Sequence, residues 1–199
     1  MPYGISLKCL NDTASSVFKL WDEAAAFEEA ASMRALHYPP HITLAVYQEI
    51  AVDRLAEAVE RVFRVRPAVT SSFSGIGYFE NELLILWARS NYDEQLFQLH
   101  AELHREVDPA HCHAHYRPGN WVPHCTIATK ITRAKSQAAI NWANRTGCNS
   151  RSLSMPQTVC DFRPWRSRAK SGWHRHDRKV SKKPRQSFTG LLMLKIGRH

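Results

Sequence analysis

Two short segments repeat one pattern, and this repeat constrains the fold more than any other feature of the sequence. The segments are YPPHITLAVY (Tyr38–Tyr47) and WVPHCTIATK (Trp121–Lys130). Each begins with an aromatic residue and places Pro-His-x-Thr in the same register, followed by alternating residues. A period of two is typical of a β-strand with one buried face. The sequence therefore predicts two similar strands, each with one apolar and one polar face.

The polar face of each predicted strand carries the same two functional groups, an imidazole and a hydroxyl. Side chains two residues apart on a strand lie about 6.6 Å apart along the backbone, close enough to contact one phosphate. A single His-x-Thr is a weak signal, but two copies with the same preceding proline favour a functional pair. Strict alternation predicts these polar faces: His41, Thr43, Ala45 and Tyr47 in the first strand, and His124, Thr126, Ala128 and Lys130 in the second.

The rest of the chain alternates short strands with helices. A first strand is predicted in YGISLKCL (Tyr3–Leu10), and a hairpin where FSGIGYFE and LLILWARS flank Asn81-Glu82. Helical spacing of apolar residues appears in VDRLAEAVERVF, in RAKSQAAINWANR and after Asn91, where Asn-x-x-Glu resembles a capping box. Another strand is predicted within SLSMPQTVCDF (Ser152–Phe162). This pattern favours an α+β fold.

The net charge of +9 is concentrated near the C-terminus. Residues 163–199 contain 12 basic residues and one acidic residue, whereas residues 1–162 contain 15 and 17. We therefore expect a folded domain over 1–162, followed by a basic and disordered tail over 163–199. Such a tail could contact RNA through its cations. LLMLKIG (Leu191–Gly197) near the end could form a lone strand or a turn of helix.

Composition gives expectations about location and assembly. The longest apolar run, LLILWA, is far shorter than the roughly 18 residues of a membrane span. The five cysteines are scattered and form no Cys-x-x-Cys pair, which favours reduced thiols. We therefore expect a cytoplasmic protein without a membrane anchor, and a monomer.

The two motifs HITL (His41–Leu44) and HCTI (His124–Ile127) resemble the His-h-Thr-h signature of the 2H phosphoesterase superfamily. This superfamily includes 2′-5′ RNA ligase-like proteins and cyclic nucleotide phosphodiesterases. With the opening strand and the hairpin, the resemblance spans residues 3–162. It implies an α+β fold of two pseudo-symmetric lobes of antiparallel sheet, with outer helices around a central cleft. It implies no metal and no organic cofactor.

The resemblance also implies a reaction, the opening of 2′,3′-cyclic phosphates on nucleotides or RNA ends. One histidine would act as base and the other as acid, and the unperturbed imidazole pKa near 6.5 suits both roles. Thr43 and Thr126 would hydrogen-bond the non-bridging oxygens. We expect His124 to be the base and His41 the acid, although the sequence does not fix their order. In reverse, the same pair would join a 2′-hydroxyl to a cyclic phosphate, which is the 2′-5′ ligase activity.

Four further residues are candidates for substrate binding. Lys130 follows His124 on the predicted polar face and could add positive charge, and Tyr47 occupies the matching place in the first strand. Tyr38 and Trp121 stand three residues before each histidine. They could stack on a base, or they could pack in the core.

Two other functions compete with this interpretation. HCHAH (His111–His115), with His100 and His104 one helical turn apart, could hold a metal ion. However, HAELH lacks the His-Glu-x-x-His order of a metalloprotease. The second alternative is a non-catalytic RNA-binding protein that uses the same cleft and the basic tail. The sequence also departs from the superfamily after VCDF, where a final apolar strand is expected but a basic segment follows.

Overall fold

The computed structural model describes residues 2–9, 13–148, 158–161 and 194–195. These residues form one antiparallel sheet, in the order β3-β7-β1-β2-β6-β5-β4, with β8 also paired to β1. The strands are β1 (Tyr3–Cys9), β2 (His41–Tyr47), β3 (Val69–Ser71), β4 (Phe73–Glu80), β5 (Leu84–Ser90), β6 (His124–Ile131), β7 (Thr158–Asp161) and β8 (Leu194–Lys195). The helices are α1 (Ser15–Ala24), α2 (Ser32–Ala35), α3 (Val52–Phe63), α4 (Glu94–Glu106) and α5 (Arg133–Cys148).

The sheet consists of two lobes that meet at the two predicted motif strands. β2 pairs with β1 on one side, and β6 pairs with β5 on the other. Between β2 and β6 the ladder consists of one residue pair, Ile42 with Cys125. This arrangement confirms the predicted α+β fold, and it places the two His-x-Thr motifs next to each other at the centre of the sheet.

Helices α3 and α4 form because their apolar residues recur at helical spacing and are buried together. α3 buries Leu55, Val59 and Val62, and α4 buries Leu96, Leu99 and Leu103. The two helices pack against each other although a hairpin separates them in the chain. Burial of one apolar face in this way stabilises a helix more than its intrinsic propensity does.

The start of α4 differs from the prediction. Its N-cap is Asp93, whose carboxylate accepts a hydrogen bond from the Leu96 amide at 3.0 Å. Asn91 does not cap the helix, because its side-chain amide donates to Ser72 Oγ at 2.7 Å. Tertiary contact with the neighbouring strand region therefore displaces the helix start by two residues.

The C-terminal strands lie along one edge of β1. β7 pairs with the end of β1, where Cys160 lies opposite Cys9, and β8 pairs with its beginning, where Lys195 lies opposite Tyr3. The strand predicted in SLSMPQTVCDF is thus present over four residues. The disorder predicted for 163–199 falls outside the described residues, apart from Leu194–Lys195. Across the described chain, no helix combines the length and apolar character that crossing a membrane requires.

Candidate active site

The two motifs share one face of the sheet. Ile42 lies opposite Cys125 and both side chains are buried in the core. Because neighbours on a strand point to opposite faces, the flanking residues point away from that core. Continuing the antiparallel register by one residue pairs each histidine with the threonine of the other motif. The four partly exposed side chains that meet there are His41, Thr43, His124 and Thr126.

Equivalent hydrogen bonds orient the two imidazoles. Nδ1 of His41 lies 3.0 Å from the Pro39 carbonyl, and Nδ1 of His124 lies 2.8 Å from the Val122 carbonyl. A carbonyl oxygen only accepts, so Nδ1 carries the hydrogen in each ring. Nε2 is therefore the nitrogen left to exchange a proton with a ligand, in both halves of the site.

The surroundings favour the neutral form of both imidazoles. Burial lowers the pKa of His41 below its ordinary value, and the bond to Pro39 opposes this shift. The charge of His124 lowers the pKa of His41 further. Burial also lowers the pKa of His124, against the opposing effect of its bond to Val122. The pair therefore resists holding two protons at once, which suits one acid working beside one base.

A buried serine holds the first threonine. Ser6 lies opposite Thr43 in the β1–β2 register, and their hydroxyl oxygens are 3.1 Å apart. Ser6 is buried, and Thr43 is partly exposed on the face that it shares with the histidines. The Thr43 hydroxyl is thus already positioned before a ligand arrives.

Two cations flank the histidines in matching positions. Lys8 on β1 lies opposite His41, and Arg89 on β5 lies opposite His124. Directly opposite residues of antiparallel strands share a face, with Cβ atoms about 5 Å apart. Neither cation was predicted as a site residue, because their positions depend on strand register. One sequence signal for them exists. Lys8 and Arg89 each stand two residues after the residue that lies opposite a motif threonine, Ser6 in β1 and Trp87 in β5.

An aromatic surface adjoins the second histidine. Trp87 lies opposite Thr126, and its ring contacts His124 with 5.5 Å between centroids. Phe79 stacks on Trp87 at 5.2 Å and is 42% exposed. The Trp87 ring lies over Gly77 so closely that a Cβ there would be 2.4 Å from it, so glycine is required. The Phe79–Trp87 platform was also missed by the sequence prediction.

Two tryptophans brace the motif strands from opposite lobes. Trp121, before β6, donates from Nε1 to the Thr43 carbonyl at 2.9 Å. Trp21, on α1 before β2, donates from Nε1 to the Thr126 carbonyl, also at 2.9 Å. These carbonyls lie where the β2–β6 ladder has ended, so the indoles replace partners that a continuing ladder would provide. We call these two contacts the indole braces.

A register shift occurs at the same point in both motif strands. Thr43 pairs with Ser6 but Ala45 with Ile5, and Thr126 pairs with Trp87 but Ala128 with Leu86. One extra residue therefore follows each threonine, Leu44 in β2 and Ile127 in β6. A β-bulge of this kind reverses the alternation of side chains beyond it.

The bulge overturns the face predicted for Tyr47. This side chain is 0% exposed, and its hydroxyl lies 3.5 Å from Nδ1 of His104. Tyr47 is therefore a core residue and does not share the polar face of His41. Lys130 is exposed near the far end of β6, beyond a second register shift, where alternation counted from His124 no longer applies.

The aromatic residues before each motif are also mostly buried. Tyr38 contacts the His41 ring with 4.8 Å between centroids. Trp121 stacks on His100 at 4.1 Å with parallel rings. Only 6% of Tyr38 and 7% of Trp121 is exposed, so little of either ring remains for a base. Of the two interpretations left open by the sequence, the structure agrees with core packing.

The histidines considered as metal ligands have other partners. His100 and His104 lie with Nε2 at 2.9 and 3.0 Å from the same carbonyl oxygen, that of Tyr116. Each must donate, since a carbonyl only accepts. Within the described ranges, no three or more His, Cys, Asp or Glu side chains are grouped to hold a metal ion. The helix histidines anchor the segment that leads into β6.

The chain is similar to known proteins in both sequence and fold. The sequence model of the 2′-5′ RNA ligase superfamily matches residues 15–160, most of the described chain. No curated protein sequence matches the chain. The structure of TT0787 from Thermus thermophilus is similar with a TM-score of 0.50 and 17% identity, covering 66% of this chain and 75% of that one. Identity at this level is evidence for the fold alone.

Two further solved structures are similar. Escherichia coli LigT, solved in complex with 3′-AMP, has 18% identity and a TM-score of 0.45, covering 66% of this chain and 76% of LigT. Usb1 of Kluyveromyces marxianus has 14% identity and a TM-score of 0.47, covering 80% of this chain and 90% of Usb1.

Proposed function

Because the chain belongs to the 2′-5′ RNA ligase superfamily, we propose that it opens 2′,3′-cyclic phosphates on nucleotides or RNA ends. The observation that carries this proposal is the matched pair of imidazoles on one face. Each is tied through Nδ1 to a carbonyl two residues earlier and leaves Nε2 for chemistry. The reaction uses these side chains and no metal ion.

The proposed reaction moves two protons. The neutral imidazole removes a proton from water, and the water oxygen forms a bond to phosphorus. The bond from phosphorus to the ribose 3′ oxygen breaks, and the imidazolium protonates that oxygen. The product carries a 2′-phosphate and a 3′-hydroxyl. We assign the base to His124 and the acid to His41.

Hydroxyls and cations hold the phosphate in this proposal. Thr43 and Thr126 donate to the non-bridging oxygens, which gain charge as the water attacks. Lys8 and Arg89 lie beside the two histidines and add positive charge from either side. Lys130 lies four residues beyond Thr126 on β6, roughly 13 Å along the strand, so this cation contacts the substrate beyond the phosphate.

The Phe79–Trp87 platform gives the base of the substrate a place to stack. Phe79 is partly exposed and adjoins the His124 ring, with 5.9 Å between centroids. Stacking on an aromatic side chain is worth about 1–3 kcal/mol per base and tolerates any base. The proposed substrate is therefore a nucleotide or RNA end of broad base preference.

The same groups catalyse ligation when the 5′-hydroxyl of a second RNA end takes the place of water; the 2′ oxygen cannot be the nucleophile, because it already carries the cyclic phosphate. The base removes the proton of that hydroxyl as its oxygen bonds to phosphorus, the bond from phosphorus to the ribose 3′ oxygen breaks, and the other imidazole protonates the 3′ oxygen, which leaves a 2′-5′ linkage. High concentrations of RNA ends favour this direction.

The test is turnover of a nucleoside 2′,3′-cyclic phosphate in the presence of EDTA, with product identified by phosphorus NMR. We expect a 2′-phosphate from the wild-type protein. His41→Ala and His124→Ala should each lower kcat by at least about 100-fold, the usual contribution of a general acid or base. His111→Ala, at an exposed histidine outside the site, should retain full activity.

A substrate with an activated leaving group separates the two roles. In a p-nitrophenyl ester of a nucleoside 3′-phosphate, the leaving group is p-nitrophenolate, which departs without protonation. Hydrolysis of this ester therefore needs the base but not the acid. His41→Ala should therefore retain most of its activity on this ester, whereas His124→Ala should not. The opposite result would exchange the two assignments, and activity abolished by EDTA would contradict the proposal as a whole.

A further inference from the structure

A cavity of about 480 Å³ opens beside the first histidine. Its wall is formed by side chains from β1, α1, α2 and the segment that enters β2. Lys8 is part of this wall and also lies opposite His41. Tyr38, another wall residue, contacts the His41 ring. The cavity therefore continues the catalytic face rather than forming a separate site.

The cavity concentrates hydrogen-bond donors that suit an anion. Lys8, Arg34 and His37 all contribute to its lining, and Lys8 forms no ion pair within the described residues. The lining contains no acidic side chain. A group of donors from separate elements around one cavity is a typical arrangement for phosphate.

Arg34 is held in place before any ligand binds. Its Nε and one Nη donate to the Asp22 carboxylate at 2.9 and 2.8 Å, and its guanidinium lies 4.7 Å from the centre of the Phe18 ring. These contacts leave the second Nη for a ligand. A fixed guanidinium loses less entropy on binding than a mobile one does.

His37 completes the wall because the chain turns sharply there. Its φ of 50° lies in the left-handed region that is uncommon for residues other than glycine. Its amide donates to the Arg34 carbonyl at 3.3 Å, which ends α2. The turn sends the chain back to Pro39 and places the imidazole on the cavity wall.

We propose that this cavity binds a second phosphate, the one on the 5′ side of the nucleotide whose cyclic phosphate lies between the histidines. This inference rests on the proposed function and narrows its substrate class. A nucleoside 2′,3′-cyclic phosphate lacks that group, whereas every RNA end and every 5′-phosphorylated nucleotide carries it. The site thus selects an RNA end over a nucleoside cyclic phosphate.

The neighbouring phosphate fits this cavity better than a second base does. The Arg34 guanidinium covers one face of the Phe18 ring, and Trp21 is buried, with its indole N–H donating to the Thr126 carbonyl. Tyr38, the third aromatic residue of the lining, is only 6% exposed. Among its apolar residues, the wall presents the charge and N–H groups of Lys8, Arg34 and His37.

Two substrates that differ by one phosphate test the proposal. They are adenosine 2′,3′-cyclic phosphate and the same compound with a 5′-phosphate. The wild-type protein should show a kcat/KM about tenfold or more higher for the phosphorylated compound, as expected for one charge-assisted contact. The double variant Arg34→Gln/His37→Gln should bring this ratio close to one and leave turnover of the unphosphorylated compound unchanged. Arg34→Lys should preserve part of the preference.

Arg54→Gln is the matched control, since Arg54 is an exposed cation on α3 outside the cavity, and its ratio should equal that of the wild type. A wild-type ratio of the two kcat/KM values near one, or a ratio that the double variant leaves unchanged, overturns the inference.

Calorimetry with adenosine 3′,5′-bisphosphate and adenosine 3′-phosphate repeats the comparison without turnover. Tighter binding of the bisphosphate, together with no turnover of either cyclic phosphate, would support the cavity and contradict the proposed reaction.

Discussion

At the scale of single residues, the positions of the motif threonines depend on two side chains that lie outside the motifs. The indole of Trp121 binds the Thr43 carbonyl, and that of Trp21 binds the Thr126 carbonyl. Each bond crosses from one lobe to the strand of the other. Fixing a backbone carbonyl also fixes the Cα of the same residue, so the braces set where both hydroxyls point.

We predict that Trp121→Phe lowers kcat more than it raises KM. Phenylalanine keeps most of the ring packing but removes the N–H, which leaves a nearly buried carbonyl without its partner. That loss costs about 1–3 kcal/mol. Steady-state kinetics on the cyclic phosphate and urea unfolding measure the two effects separately.

Trp142→Phe is the control, because Trp142 packs against Phe27 and, among the residues that the structure describes, forms no hydrogen bond to a motif strand. It should alter stability by a similar or smaller amount and leave kcat unchanged. Equal losses of kcat in the two variants would show that the braces do not position the site.

At the scale of secondary structure elements, a buried carboxylate holds the irregular end of β6. Glu28 accepts from the Thr129 and Lys130 amides at 3.0 and 2.8 Å. It also accepts from the amide and hydroxyl of Ser32, at 2.9 and 2.6 Å, at the start of α2. A strand that shifts register leaves amides unpaired, and Glu28 supplies their acceptor.

We predict that Glu28→Ala destabilises the protein by roughly 3 kcal/mol, since it leaves several buried donors without a partner. Glu29→Ala, at the exposed neighbouring position, should change stability by less than about 0.5 kcal/mol. Denaturant unfolding of the two variants measures the difference. Similar unfolding midpoints would mean that water replaces the Glu28 carboxylate at these amides.

The local sequence pattern predicts the strands of the site but not the bulges within them. The motif strands and the β4–β5 hairpin follow from local alternation, and their predicted positions are confirmed. The bulges after Thr43 and Thr126 do not, because an extra residue in a strand is defined only by its partner. The first bulge turns Tyr47 into the core, so strict alternation predicts this side chain on the wrong face.

The remaining parts of the candidate site depend on pairing between distant segments. Lys8 and Arg89 become site residues only once β1 and β5 are aligned with the motif strands. The indole braces join residues 78 and 105 positions apart, and nothing local to either tryptophan indicates its acceptor. Sequence reasoning identified the candidate catalytic groups, and strand register supplied their neighbours.

At the scale of the whole molecule, two neutral histidines link α4 to the segment before β6. His100 and His104 share the Tyr116 carbonyl, and His100 stacks on Trp121. Burial lowers the pKa of His100 to about 4, and burial also lowers the pKa of His104. The folded state therefore favours the uncharged rings.

We predict that stability falls as the solution is acidified. A histidine with a lowered pKa contributes its full stabilisation above its unfolded pKa near 6.5 and loses it as the pH falls toward the folded value, about 4 for His100. The loss attributable to His100 is on the order of 3 kcal/mol. Urea unfolding between pH 7 and pH 4 measures it.

His100→Gln keeps a donor for the Tyr116 carbonyl but cannot gain a proton, so its stability should depend less steeply on pH over this range. His111→Gln, at an exposed position, should follow the wild-type curve. Identical curves for all three proteins would show that folding does not change the pKa of His100.

The single rung between β2 and β6 has a mechanical consequence. A sheet resists bending where its ladder is long, and here the ladder between the lobes is one pair, Ile42 with Cys125. The line across which the described lobes share this single pair therefore runs through the site itself. A phosphate bound by hydroxyls from both strands would therefore cross-link the two lobes along that line, and product release would restore their freedom to move relative to each other.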